Sequence, residues 1–370
     1  MKILLILFII VNINHLFGQL YINELLTSNT QTNYDPDFTG FSDWIEIYNS
    51  GTSDINLDGY FITDDPIEPT KWQIPLNTII PANGYYIFWA DGMNTVLNSV
   101  HTNFNLSKDG ETIKLYSPGL ILLDSIKYRP QVADLSYGRN FDGDSIWGFF
   151  YIPTPGNSNN SQICYTKLEY ADEPVFSISG GFYSGQQTIS LSSSSPTAII
   201  KYTLNGSIPD ENSISYSSPI IIDSTTIIRA NAFDTLLIPS SVITNTYFID
   251  NVHDLPVISI TTEPENLWGD TIGIYCVGTN GISGWGITAN YWHDDWERPV
   301  NIEMYENDGT LAFNQISGIS INGQRRLMGQ KALRLFARNK YGKNTFDHKI
   351  FKDKQIEQFS SLILRNGGFP

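Results

Sequence analysis

Between residues 83 and 92 the chain reads NGYYIFWADG, an aromatic and apolar run bracketed by an Asn-Gly and an Asp-Gly pair. Further Asp-Gly pairs stand at 58–59, 109–110 and 142–143. These dipeptides take up the left-handed backbone that tight hairpin turns require, so they punctuate short strands. The segment DWIEIYN, 43–49, alternates with period two, placing Ile45 and Ile47 on one face and Glu46 and Tyr48 on the other. No run of helical period interrupts residues 21–159. Strands of this length and spacing predict an all-β sandwich or barrel.

Composition agrees. The 370 residues exceed one ordinary core and predict two or three domains. Tyr and Phe number 20 each while charged residues are only 16%, a mixture suited to half-buried pleated surfaces. Lys2 followed by the apolar run Ile3–Val11 reads as a cleaved secretory signal over residues 1–18, being too short to span a bilayer. The mature chain is therefore expected to be exported, secreted or held at the cell surface, with no membrane span. Cys164 and Cys276 have no spacing that demands a disulfide. The histidines at 101, 253, 293 and 348 show no metal-site spacing, so no metal ligands are assigned.

The segments INELLTSN (22–29), DWIEIYNSG, INLDGYFITDD (55–65), KWQIP (71–75), IIPANGYYIFWADG and LSKDGETIKLYSPG (106–119) together resemble a lamin tail domain. PTPGNSN (153–159) resembles the usual close of its bacterial members. The resemblance implies an immunoglobulin-like β-sandwich over residues 19–159, a binding or attachment module without catalytic residues.

After a polar linker at 160–172, the segments GGFYSG, IKYTLNGSIPD and STTIIRANAF resemble the small β-sandwich at the C-terminus of chitobiases and β-hexosaminidases, here over 173–250. Ile189 and Leu191 alternate with Thr188 and Ser190 as a strand with one buried face, and Asn205-Gly206 marks a hairpin turn. Asp210 and Glu211 follow a turn proline and read as solvated rather than as a glycosidase pair.

Residues 253–370 contain WERPVNIEMYE and QKALRLFARNKYG in an order that resembles the beginning of a CotH-type spore-coat kinase domain. That resemblance implies a partial α+β kinase-like lobe that uses ATP with Mg or Mn to phosphorylate extracellular or envelope proteins. The metal-binding acids of the family lie beyond the matched segment, so the 370 residues are expected to be inactive by themselves. A non-enzymatic surface scaffold that binds proteins or glycans is the alternative, and a glycan hydrolase has only the accessory module behind it.

The last fifty residues sharpen the contrast between these readings. Residues 320–370 hold eleven Lys and Arg against three acidic residues, a balance of +8 in a chain of net charge −16. Read as a strand, 330–338 puts Lys331 on a face with Leu333 and Leu335, while Arg334 and Arg338 fall on the other. A lysine so placed suits phosphate contact, and Arg325 and Arg326, in a turn after Gly323, suit the same role. The bland alternative is a solvated basic face or one that docks an acidic partner. Gly318, Gly323 and Gly329 fit neither glycine-rich phosphate-loop spacing. Overall acidity and export argue against nucleic acid. Asp294, Asp295 and Glu297 of HDDWE are expected to be structural or solvated.

Overall fold

A computed structural model of the chain describes residues 19–38, 40–323 and 326–365. The signal segment 1–18 and Arg325 lie outside the described residues. By its contacts the chain divides into two compact units, one comprising residues up to Ser28 with Ser42–Cys164, the other Asn29–Phe41 with Tyr165 onward.

The first unit is built from two larger sheets and the short pair Ile55–Asn56 with Ile79–Ile80. One has six strands in the order Trp147–Phe150, Ser136–Arg139, Leu20–Leu26, Trp44–Asn49, Tyr85–Trp89 and Val100–His101. All its pairings are antiparallel except the last. The other sheet orders Leu122–Lys127, Thr112–Tyr116, Phe61–Thr63 and Trp72–Gln73. Ile45, Ile47 and Phe88 of the first sheet share one core with Ile62, Trp72, Ile113 and Leu115 of the second. The Trp72 and Phe88 rings meet edge to face, 5.7 Å apart. This is a sandwich closed by alternating inward residues, as the period-two pattern predicts.

The alternation misleads at one position. Glu46 faces away from Ile45 and Ile47, yet it is fully buried, as is Glu24 opposite it in register. Both faces of that strand are covered.

The second unit contains two larger sheets. The first orders Gly181–Tyr183, Ile243–Ile249, Thr226–Phe233, Ile199–Thr203 and Ile214–Ser215, with the first pair parallel. Gln187–Ile189 pairs with Ile220–Ile222 and completes a core around Ile189, Ile228, Ala230 and Tyr247. The predicted strand through Ile189 and Leu191 is split at Ser190, because Leu191–Ser192 pairs instead with Val175–Phe176. Asn205-Gly206 sits at the start of the long link between Ile199–Thr203 and Ile214–Ser215 rather than in a two-residue hairpin.

The second large sheet is fully antiparallel, ordered Val257–Thr261, Arg298–Tyr305, Leu311–Ile321, Leu333–Phe336 and Ser361–Leu364. Val300, Ile302, Ile319, Leu335 and Leu362 pack in its core. Among the described residues the only α-helix in the unit is the five-residue Pro264–Trp268. The expectation of an α+β lobe is therefore corrected: the region is mainly β.

The strand expected over 330–338 also contracts, to Leu333–Phe336. Lys331 precedes it because its backbone N–H donates to the Tyr275 hydroxyl, 2.7 Å away. Within the strand the predicted alternation holds, with Leu335 buried and Arg334 exposed.

Candidate binding cleft and the placement of charged residues

In the first unit the buried carboxyls of Glu24 and Glu46 hold the closing segment 153–159 in place. Thr154 donates to Glu24 through its backbone N–H at 3.1 Å and its hydroxyl at 2.7 Å. The Ser136 hydroxyl also donates to Glu24. Glu46 accepts from the Gly156 N–H at 2.6 Å and from Asn23 Nδ2 at 3.1 Å. Burial pushes both carboxyls above the usual carboxylate range, and for Glu46 the nearby charge of Glu24 adds to the rise. Asp142 extends the network, accepting from the Tyr85 hydroxyl at 2.8 Å and the Asn159 N–H at 3.0 Å. These donors come from the chain itself, so the acids act as clamps.

In the second unit the basic block is folded into the protein. The Lys331 ammonium lies 4.5 Å from the Tyr291 ring centroid and 4.9 Å from that of Tyr275. It also donates to the Met328 carbonyl at 3.1 Å. Burial lowers its pKa. Two aromatic faces around one ammonium are worth about 0.5–2 kcal/mol each, less where water reaches. Arg326 is 5% exposed, and its donors go to Gly323 O at 2.7 Å, Tyr291 O at 2.8 Å and the Asp294 carboxylate. Its guanidinium thus ties the turn to the segment that begins at Tyr291. Arg325 lies outside the described residues.

The acidic stretch near 294–297 serves the same internal bonding. Glu297 pairs with Arg338 Nε at 2.9 Å and with Lys340 Nζ at 3.1 Å. Asp295 is exposed and lies 3.7 Å from His293. Asp210 caps its own turn through the Ser213 hydroxyl at 2.6 Å, which lowers its pKa. Both cysteines are free thiols.

The structure adds a residue that was not singled out in the sequence. Arg298 opens the strand Arg298–Tyr305 and is 1% exposed. Its Nε donates to Ile272 O at 2.9 Å and its Nη1 to Glu297 O at 3.2 Å. The guanidinium carbon stands 4.7 Å from the Trp296 ring and 5.6 Å from Phe41. Burial pulls its pKa down to about 10. Arg298 lines a cleft of about 200 Å³ with Phe41, Trp296 and Lys340 and the carboxylates of Asp295 and Glu297, so basic and acidic side chains balance there. The signal was present: period two puts position 298 in phase with the core residues Val300, Ile302 and Met304, where a charge is conspicuous.

A hairpin of the same unit presents the opposite kind of surface. Ile282–Gly284 pairs with Ile287–Ala289, and Trp285 at the turn is 73% exposed with φ +48°. Gly286 follows at φ +82°. Gly284 runs against the Trp292 indole, where a Cβ would lie 2.4 Å from the ring. The hairpin therefore rests on the core while Ile282, Trp285 and Ile287 remain exposed.

Fold and sites together define a mainly β protein assembled from sandwich modules. Residues 15–130 match the Lamin Tail Domain family, and residues 178–244 match the Chitobiase/beta-hexosaminidase C-terminal domain family. The lamin-tail and chitobiase-type resemblances read from the sequence are thereby borne out; the CotH-type resemblance over 253–370 is not, since neither match extends into residues 245–370. A search among curated proteins returns no match.

Proposed function

We propose that the chain is a binding scaffold of the cell exterior, with sandwich modules that carry it to glycans or proteins of the envelope. Two adjacent modules of attachment type support this reading. The observation that carries it is the hairpin Ile282–Ala289. A tryptophan held outward at a left-handed backbone position, flanked by exposed isoleucines on a fixed strand pair, is a surface made for contact. An indole face stacks well on a sugar ring, so envelope glycan is the expected ligand at this tip. The test is cosedimentation of the purified chain with isolated envelopes, comparing wild type with Trp285→Ser. Retention that falls in the variant supports the reading, and equal retention removes the hairpin from it.

A second reading is a CotH-type phosphotransferase using ATP with Mg or Mn. It is favoured by the motif order from WERPVNIEMYE to QKALRLFARNKYG, and by the antiparallel sheet beside which Lys331 sits. Lys331, Arg325 and Arg326 would face the phosphates. In that case Lys331 leaves Tyr275 and Tyr291, and Arg326 gives up the Tyr291 carbonyl, which would cost binding energy. Transfer of labelled γ-phosphate to any protein substrate, lost in Lys331→Ala, would establish it.

A further inference from the structure

The sheet that ends on Ser361–Leu364 is covered on its outer face only part of the way across. Glu303 and Asn314 stand opposite each other in register and reach the strand Ile243–Ile249, Glu303 at Thr246 and Asn314 at the Thr244 carbonyl. Further across, Arg334 lies opposite Ser320 and Ile363, and Phe336 opposite Gly318 and Ser361. Paired residues of an antiparallel ladder point to one side, so Arg334, Phe336 and Ile363 share the face of Glu303 and Asn314. Here that face is open to solvent: Ile363 is 50% exposed, and Arg334 and Arg365 are exposed too. The guanidinium carbons of Arg334 and Arg338 stand 4.8 and 4.6 Å from the Phe336 ring centroid, which steadies both charges against the sheet. Arg338 and Lys340 share the carboxylate of Glu297, which lies 2.5 Å from where a Cβ on Gly318 would stand. Arg334 and Arg365 have no ion pair among the described residues. Four cations are thus set against one carboxylate, around an apolar centre.

A basic and apolar face suits an acidic and apolar partner, and the chain carries one. Residues 1–319 hold 35 of the 38 acidic residues but only 11 of the 22 Lys and Arg. Within them the loop 63–70 raises Ile67, 88% exposed, between Asp65 and Glu68. Pro66 and Pro69 restrict its backbone, and Asp65 Oδ1 accepts the Ile67 N–H at 2.9 Å, so the isoleucine is held outward. Asp64 is paired with Lys71, whereas Asp65 and Glu68 have no ion pair among the described residues. We propose that the loop 63–70 of one copy of this chain docks on the Arg334–Ile363–Arg365 face of another. Ile67 meets Ile363 and Phe336, and the Asp65 and Glu68 carboxylates meet the guanidinium groups, whose planar donors match two carboxylate oxygens. The two surfaces differ, so the contact is heterologous and adds copies head to tail instead of closing a pair. This self-association goes beyond the scaffold reading and does not depend on it, since the hairpin tip takes no part.

The experiment is sedimentation velocity of the whole chain across protein and salt concentration. A net charge of −16 makes copies repel at long range. That repulsion reaches about 30 Å at 0.01 M salt and about 10 Å at 0.1 M, while ion pairs in contact persist to higher salt. Association should therefore be weak near ~0.01 M salt, strongest near ~0.1 M and weak again near ~1 M. The double variant Arg334→Glu with Arg365→Glu blocks the face, and Asp65→Lys with Glu68→Lys blocks the loop. Each alone should weaken association about tenfold or more. An equimolar mixture of the two should form a one-to-one complex and nothing larger, because one supplies an intact loop and the other an intact face. Unfolding midpoints check that each variant is folded, and Arg334→Ala and Glu68→Ala, with smaller effects expected, replace any that is not. A wild type that stays monomeric at every salt concentration overturns the proposal, and its retention on polygalacturonate would then assign the face to an anionic glycan. Variants that associate as wild type does, or a mixture that stays monomeric, overturn it as well.

Discussion

Glu46 shows how a single residue escapes a pattern. Its neighbours Ile45 and Ile47 fix the strand phase, and that phase points Glu46 away from the sandwich core. What the pattern cannot reveal is that residues 153–159, over a hundred positions later, return to cover the second face and donate Gly156 N–H to the carboxyl. Tertiary closure overrides local alternation here. The consequence is a pH dependence. The Glu24–Glu46 pair has pKa values raised above the ordinary 4.5, so between 4.5 and the raised values the folded state binds more protons than the unfolded. This contribution to stability is full below about 4.5 and is lost as pH rises through the folded values. Denaturant midpoints measured across that range should fall for wild type and flatten for Glu46→Gln. Arg326 and Arg334 offer a second contrast. Arg326→Ala strands two carbonyls and should cost about 2–3 kcal/mol in urea unfolding. Arg334→Ala removes an exposed side chain stacked 4.8 Å from the Phe336 ring and should change stability by about 0.5 kcal/mol or less.

Local sequence signals specify some elements of this chain and not others, for different physical reasons. The Asp-Gly pair at 109–110 takes the expected left-handed turn, with Gly110 at φ +96° and no room for a Cβ against the Tyr128 carbonyl, but it joins strands of different sheets, Val100–His101 and Thr112–Tyr116, rather than a hairpin. Asn205-Gly206 carries the same signature and likewise opens a loop, because strand pairing resumes only at Ile214. The Lys331 strand failed at its end, where a side-chain hydroxyl from Tyr275 replaces the ladder partner that the alternation assumed. Arg298 was legible in principle, standing in core phase with Val300 and Ile302, but the aromatic rings that make its burial tolerable come from residues 41 and 296. The hairpin Ile282–Ala289 lends itself to a direct check. Gly284→Ala forces a methyl into the Trp292 ring and should destabilise the protein by about 1–3 kcal/mol, with a shift in tryptophan emission. Trp285→Ser should leave the unfolding midpoint almost unchanged.

At the scale of the molecule, the two matched modules were recognisable because their motifs are local and ordered along the chain. The way the second unit is knit together was not, since it depends on a buried contact between strands far apart in sequence. Glu303 in the strand Arg298–Tyr305 accepts from the Thr246 N–H at 3.1 Å, from the Thr246 hydroxyl, and from the Tyr305 hydroxyl at 2.8 Å. Burial raises its pKa. Through Thr246 it links the chitobiase-type sandwich to the antiparallel sheet that follows. Glu303→Ala should therefore destabilise both parts of that unit by about 2–4 kcal/mol, lowering one shared calorimetric transition. Loss confined to one part would show that the link is weaker than its burial implies.

The proposed scaffold function, attachment to the cell envelope, is open to one direct test. The most direct measurement is the binding isotherm of the whole chain on isolated envelopes, recorded with and without ATP and Mg or Mn. The account predicts a saturable isotherm that nucleotide leaves unchanged and Trp285→Ser weakens. An isotherm without saturation, or one accompanied by transfer of the γ-phosphate to envelope protein, would contradict it.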